Sequence, residues 1–407
     1  MKGDFSRDTF DASKHFSRVL MQQGRVTLDA DYNEHNAVVL RQVRTAMRDL
    51  IGPFGAPRVG GGFQVTAAAH RGLCISPGRY YVDGILVENE VACRYDAQPH
   101  GPLPSHDLLA SGTPESAGTA VVYLDVWERH VTALDDPSLR EVALGGPDTA
   151  SRAQVVWQVR SVPLPARGAS IDDAIHGVQR TGSPTMAAAA DPYTGLGNQL
   201  YRVEVHRGGN AGEATFKWSR DNGSVVTERV AGRDGAVRVL DPTRFAPGDW
   251  VELIDDASEL QGAPGALVRV ARVDETVLVV QPACDAPAWN QALHHPKVRR
   301  WDHDAEVGLR AGAVPLHEDT WIGLEHGISV RFAPGEYRTG DYWLIPARVE
   351  TCGIEWPKSV SGEPLWQAPR GIVHRYAPLA VVTWDSGGAQ VRTCRSEFDT
   401  IARRAAT

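Results

Sequence analysis

Paired cysteines, long apolar runs and blocks of one charge are all missing from this sequence, and each absence closes off a class of protein. The five cysteines, Cys74, Cys93, Cys284, Cys352 and Cys394, are odd in number and widely spaced, and no CxxC occurs. A disulfide framework and a thiolate zinc site are both disfavoured by that pattern, so the thiols are expected to be reduced and to pack as small hydrophobes. No stretch approaches the roughly 20 consecutive apolar residues that a membrane-spanning helix needs, so membrane insertion is not expected. The opening Met1, Lys2, Gly3, Asp4 carries an acid early and leads into no apolar stretch, unlike a secretory signal. Synthesis and assembly are therefore expected in the cytoplasm. The net charge is -8 and the one local group of cations, Lys297, Arg299 and Arg300, is short. Nucleic acid is not an expected partner, because phosphate binding needs clustered Lys and Arg.

The motifs of common chemistries are missing too. There is no GxSxG elbow, no P-loop, no HExxH and no GxGxxG, and Gly195-Leu196-Gly197 lacks a third glycine. Fourteen histidines invite a metal reading, with the densest group at His294, His295, Trp301, Asp302, His303 and Asp304. Imidazole and carboxylate suit zinc or iron, yet neighbours on a strand point to opposite faces. The expectation is a polar turn in which Trp301 anchors the following segment. Asp125 and Glu128 flank Trp127 as a sugar subsite would, but alternation puts Asp125 and Trp127 on one strand face and Glu128 on the other. No catalytic residue, metal ligand or cofactor is assigned.

What is present is a globular composition, 42% hydrophobic and 23% charged, in a chain of 407 residues, long enough for two or three folding units. Residues 1–27 form a polar arm set with Phe5, Phe10 and Phe16. After Asp29 and Asp31, Leu40, Val43, Met47 and Leu50 recur at helical spacing, with Val39 and Ala46 widening the stripe, and Gly52-Pro53 supplies a stop. The spacing predicts a helix over 30–51. Phe5, Phe10, Phe16, Leu40, Val43, Met47 and Leu50 are the candidate assembly-interface residues, since a short arm cannot bury its own aromatics.

Beyond Gly62 the pattern is β. Tyr80-Tyr81-Val82, Asp83-Gly84 and Ile85-Leu86-Val87 form a hairpin signal, and Ala120–Trp127 and Ala153–Arg160 are apolar runs of strand length. Short strands between Pro and Gly turns over 235–285 suggest a small barrel. The expected fold is mainly β, with an N-terminal arm and one long helix, and a multi-segment β domain holding a small inserted barrel. Its segments are 1–55 (arm and helix), 56–165 (β), 166–198 (long loop, with a short helix near Ile171–Val178), 199–234 (β continued), 235–285 (barrel) and 286–407 (C-terminal β).

Specific strings carry a resemblance. The opening MKGDFSRDTFD, Lys14–Val26 (KHFSRVLMQQGRV), Leu28–Glu34 (LDADYNE), Tyr123–Leu134 (YLDVWERHVTAL), Arg140–Thr149 (REVALGGPDT), Asn198–His206 (NQLYRVEVH), Phe216–Val225 (FKWSRDNGSV), Tyr337–Arg348 (YRTGDYWLIPAR) and His374–Val381 (HRYAPLAV) resemble an uncharacterised bacterial domain family. That family is associated with gene clusters for contractile, phage-tail-like injection systems. The arm-plus-helix opening and the Pro77–Gly84 hairpin are more distantly similar to phage baseplate and tail-fibre proteins. The resemblance implies a structural, non-catalytic subunit that is baseplate-, spike- or fibre-associated. Its partners would be other subunits of the assembly, with a homo-oligomer as one form. It brings no catalytic residues to carry over. Two rival readings stand beside it: a module that recognises glycan through Trp127 or Trp301, and a hydrolytic effector using Asp125 or Glu128.

Overall fold

Alternating apolar and polar residues build strands that gather around three apolar cores, nested one inside the other along the chain. The computed structural model describes residues 1–69, 72–105, 107–109, 118–164, 170–178, 184–233, 235–281, 294–303, 308–386 and 388–399. Cys284 and Asp304 lie outside the described residues.

The first core joins the two ends of the chain. The hairpin Gly78–Val82 and Ile85–Asn89 turns at Asp83 and Gly84, both at positive φ (51° and 79°), which matches the twist of a two-residue turn. It pairs with Phe54–Pro57, which lies beside Glu397–Phe398. Above it lies a sheet in which the long strand Gly118–Val131 pairs on one side with Arg152–Pro163 and on the other with Arg375–Asp385. Phe63, Tyr80, Val87, Leu124, Val126, Trp157, Leu379 and Trp384 fill the space between.

Between those partner strands the chain builds its second core. Gln199–Arg207 is flanked by Thr215–Ser219 and Tyr342–Arg348, facing a small sheet of Ile322–Gly323, Ile328–Phe332 and Met186–Ala190. Tyr201, Phe216, Phe332, Trp343 and Ile345 are buried there. Thr215–Ser219 in turn pairs with Val314–Pro315, so the chain between those two strands is an insertion.

That insertion is a closed barrel in the order Val226–Arg233, Ala236–Val239, Val277–Gln281, Ala266–Asp274, Trp250–Ile254 and Lys297–Trp301. The 235–285 segment expected to hold the barrel supplies its middle strands. Its first and last strands lie outside that segment, because closure pairs Val226 with Arg299 and Glu228 with Lys297. A boundary at Gly235 cuts through a hairpin.

Three helices decorate the strands among the described residues. Helix α1 (Asp29–Ile51) matches the expected 30–51 closely, but its N-cap is Leu28, without a side-chain cap. Asp29 instead accepts from Ser6, at N (2.9 Å) and Oγ (2.5 Å). Helix α2 (Ile171–Val178) sits where a short helix was expected and lays Ala174 and Ile175 on Val121, Tyr123 and Val381. Helix α3 (Asp256–Gln261) was not anticipated, and it starts with a reciprocal Asp255–Ser258 capping box. No helix among the described residues is long and apolar enough to cross a membrane.

Candidate assembly surface and buried polar centres

Residues 1–10 are tied to the chain's own body. Asn222 Nδ2 donates to the Gly3 carbonyl at 2.9 Å, and the Phe5 ring meets His130 edge-on at 5.9 Å. Arg7 pairs with Glu355 at 3.3 Å, Asp8 with Arg370, and Thr9 donates to Glu34. Phe5 and Phe10 are consequently half-buried against their own chain. Sequence-distant residues of the body thus cover part of both candidate interface aromatics. From Asp11 to Leu28 the arm runs exposed along α1, with Val19 alone partly covered. Phe16, Leu20, Met21 and Val26 stand in solvent.

Helix α1 lies on the body by a narrow inner face. Ala30 and Val38 are its buried residues. Arg44 makes a two-pronged bond to Glu128 (3.0 and 2.8 Å), and Arg48 reaches Asp83 at 3.1 Å. A Cβ on Gly84 would come within 2.1 Å of the Arg44 carbonyl oxygen, so the hairpin turn needs glycine for approach as well as for φ. The apolar stripe points the other way. Leu40, Val43 and Leu50 are 43%, 51% and 67% exposed, Tyr32 and Val39 continue the surface, and Met47 is half-buried. Isolated apolar side chains in solvent are ordinary, but a contiguous stripe on one helix face marks an interaction surface.

The polar side chains of the second core are buried where it meets the barrel. Glu204 receives Arg202 (2.6 Å), Lys2 (3.1 Å) and Lys217 (3.4 Å). Burial works against its carboxylate, and these cations outweigh burial and hold it well below the ordinary carboxylate range. Glu252, on the barrel, pairs with Lys217 and accepts from Trp301 Nε1 (2.9 Å) and the Gly265 amide (3.1 Å). Burial is again overcome, by Lys217 first, and the pKa of Glu252 is lowered to about 2. His206, beside it, is driven down to about 3 by burial and then by Lys217. Lys217 also lies 4.5 Å over the Trp301 ring, and Arg202 lies 3.5 Å over that of Tyr342.

A second centre joins the first core to the barrel. The Lys297 ammonium sits between Asp135 (2.5 Å) and Glu259 (2.8 Å). Burial opposes its charge, but Glu259 and Asp135 raise its pKa above the ordinary lysine value. Asp135, Asp256 and His295 could offer ligand atoms within 4.8 Å of one another; the ammonium already stands among these acids, 3.9 Å from Asp256. The histidines grouped in the sequence do not converge. His295 binds Asp256 (2.7 Å) at one end of Lys297–Trp301, while beyond its other end His303 stacks on Trp250 and reaches the Gly312 carbonyl (2.6 Å).

The residues of the two rival readings fall as follows. Trp127 and Trp301 are each 1% exposed, so neither presents a ring to a sugar. Asp125 is wholly buried, bound to Arg160 (2.9 Å) and His374 (2.7 Å), while Glu128 faces α1. The two carboxylates lie on opposite faces of Gly118–Val131 and do not form an acid–base pair. Among the described residues, the exposed tryptophans are Trp321 and Trp366, 44% and 41% accessible. Sequence pattern gave no reason to prefer them over the rest.

The cores and the outward helix face define a mainly β protein with an N-terminal helix and an inserted barrel. The chain belongs to the family of unknown function DUF6519, which matches residues 1–191 and 177–406. No curated protein matches the chain, and no solved structure does.

Proposed function

We propose that this protein is a structural, non-catalytic subunit of a phage-tail-like contractile injection system, joined to other copies and subunits through the outer face of α1 and residues 11–28 of the arm. The observation that carries the reading is the outward stripe Leu40, Val43 and Leu50, which nothing among the described residues covers. The sequence resemblance to a family found with such systems supplies the kind of particle. The first occupant of the stripe is a second copy of the chain. An apolar helix face of this kind is self-complementary and can bury itself against the same face of a second copy.

The test is made in a host that assembles the particle. Pelleted, sheath-bearing particles are expected to contain the native chain and to exclude the L40E/V43E/L50E variant. Particles that form without the chain and never contain it would overturn the proposal.

A further inference from the structure

We propose that the outer face of the small sheet in the second core is an oligosaccharide-binding platform built from Trp321, Arg331 and Trp366. The inference is independent of the assembly reading and rests on different residues.

The pairing register assembles the platform. Met186 and Gln367 exchange both backbone hydrogen bonds (3.0 and 2.9 Å), which places Trp366 beside Ala187. Ala187 pairs with Arg331. Ile322 pairs with Val330, so Trp321 falls beside Arg331. Val330 and Phe332 point into the second core and Ile322 packs against it. Strand alternation therefore turns Arg331 and Trp321 to the opposite, outer face. The Arg331 guanidinium lies 5.5 Å from the centre of the Trp366 ring, which fixes Trp366 on that same face. The row thus runs Trp366, Ala187, Arg331, Trp321 across neighbouring chain segments. Three inter-strand steps put the two tryptophan backbones about 14 Å apart. Beneath them Ala187 is covered (3% exposed), and small residues, Ala189, Ser329 and Gly323, continue the floor.

The chemistry of the row selects its ligand. Large rings held at the surface, each more than two-fifths exposed, present flat faces to which the C–H face of a sugar ring can stack. Between them Arg331 pairs with Asp319 at 3.1 Å, setting a planar donor and an acceptor side by side. Vicinal hydroxyls can satisfy both at once. A purely apolar partner would strip water from that ion pair and give nothing back. A phosphate-rich polymer would meet Asp319 and the adjacent Glu318. The spacing of the rings exceeds one sugar ring, so the ligand is a chain of sugars rather than a single one.

The experiment is affinity electrophoresis of the full chain in gels cast with laminarin, yeast mannan, xyloglucan or bacterial O-polysaccharide, alongside the variants W321A, W366A and R331L. The exposed positions leave folding intact, which unchanged thermal midpoints check. Retardation of the native chain by at least one polysaccharide, weakened at least fivefold in each alanine variant and retained in W366F, is the expected result. No retardation by any of them, retardation unaffected by both alanine changes, or preferential binding of a proline-rich peptide to the same tryptophans would overturn the proposal.

Discussion

Helix α1 and the strand Gln199–Arg207 invert the usual relation between polarity and burial. The strand carries Arg202, Glu204 and His206 in alternation and buries them all, to 3–4% exposure, between the barrel and the arm. The helix carries Leu40, Val43 and Leu50 on one stripe and leaves them in solvent. Polarity decides burial only through the partner available. Glu204 is buried because Arg202 on its own strand and Lys2 and Lys217 from two other segments neutralise it. The α1 stripe is exposed because no other segment among the described residues covers it, while its inner face is already held by Arg44 and Arg48.

The contrast is broken most strongly at Lys217. Lys217→Met should leave Glu204 and Glu252 short of a cation inside the protein, destabilising it by about 3–5 kcal/mol, the usual result of breaking a buried pair. Chemical denaturation measures it; a loss near zero would mean water reaches the junction.

Acid should act on the same junction. His206 and His303 are held down to about 3 and about 4 by burial. The unfolded chain therefore binds protons below the ordinary histidine value near 6.5 while the folded chain does not. Stability is fully present above pH 6.5 and falls as pH drops from there, by about 1.4 kcal/mol per unit for each such histidine. Glu252, with its pKa lowered to about 2, adds a loss of the same sign from about pH 4.5 downward. Thermal unfolding between pH 8 and 4 should show the slope, and His206→Gln should flatten it.

At the inner face of α1, Arg44→Ala removes a two-pronged but partly solvated ion pair with Glu128. A loss of about 0.5–1 kcal/mol is expected from denaturant titration, several times less than at Lys217. At the outer face, Leu40→Glu, Val43→Glu or Leu50→Glu should move stability by no more than about 0.5 kcal/mol, as surface changes do. A large loss there would mean the stripe packs within the chain.

Much of this fold was legible from local chemistry. The Asp83-Gly84 hairpin and the α1 stop at Gly52 each rest on residues that admit few backbone shapes. The closure of the barrel was not legible, since Val226 and Arg299 lie 73 positions apart and nothing local marks them as partners. Helix α3 is too short for periodicity, although its Asp255–Ser258 cap was written in the sequence. For the candidate surface, the helical stripe could be read directly, whereas its direction could not. The same limit hid the platform: strand alternation tells which residues share a face, but not that Trp127 meets Leu260 while Trp321 meets solvent.

The central claim is that the outer face of α1 is an interface between copies of the chain. Its most direct test is the native mass of the full chain and of the L40E/V43E/L50E variant at equal concentration. The account predicts a defined oligomer for the native chain and a monomer, with unchanged unfolding midpoint, for the variant. A monomer in both cases, or the same oligomer in both, would contradict it.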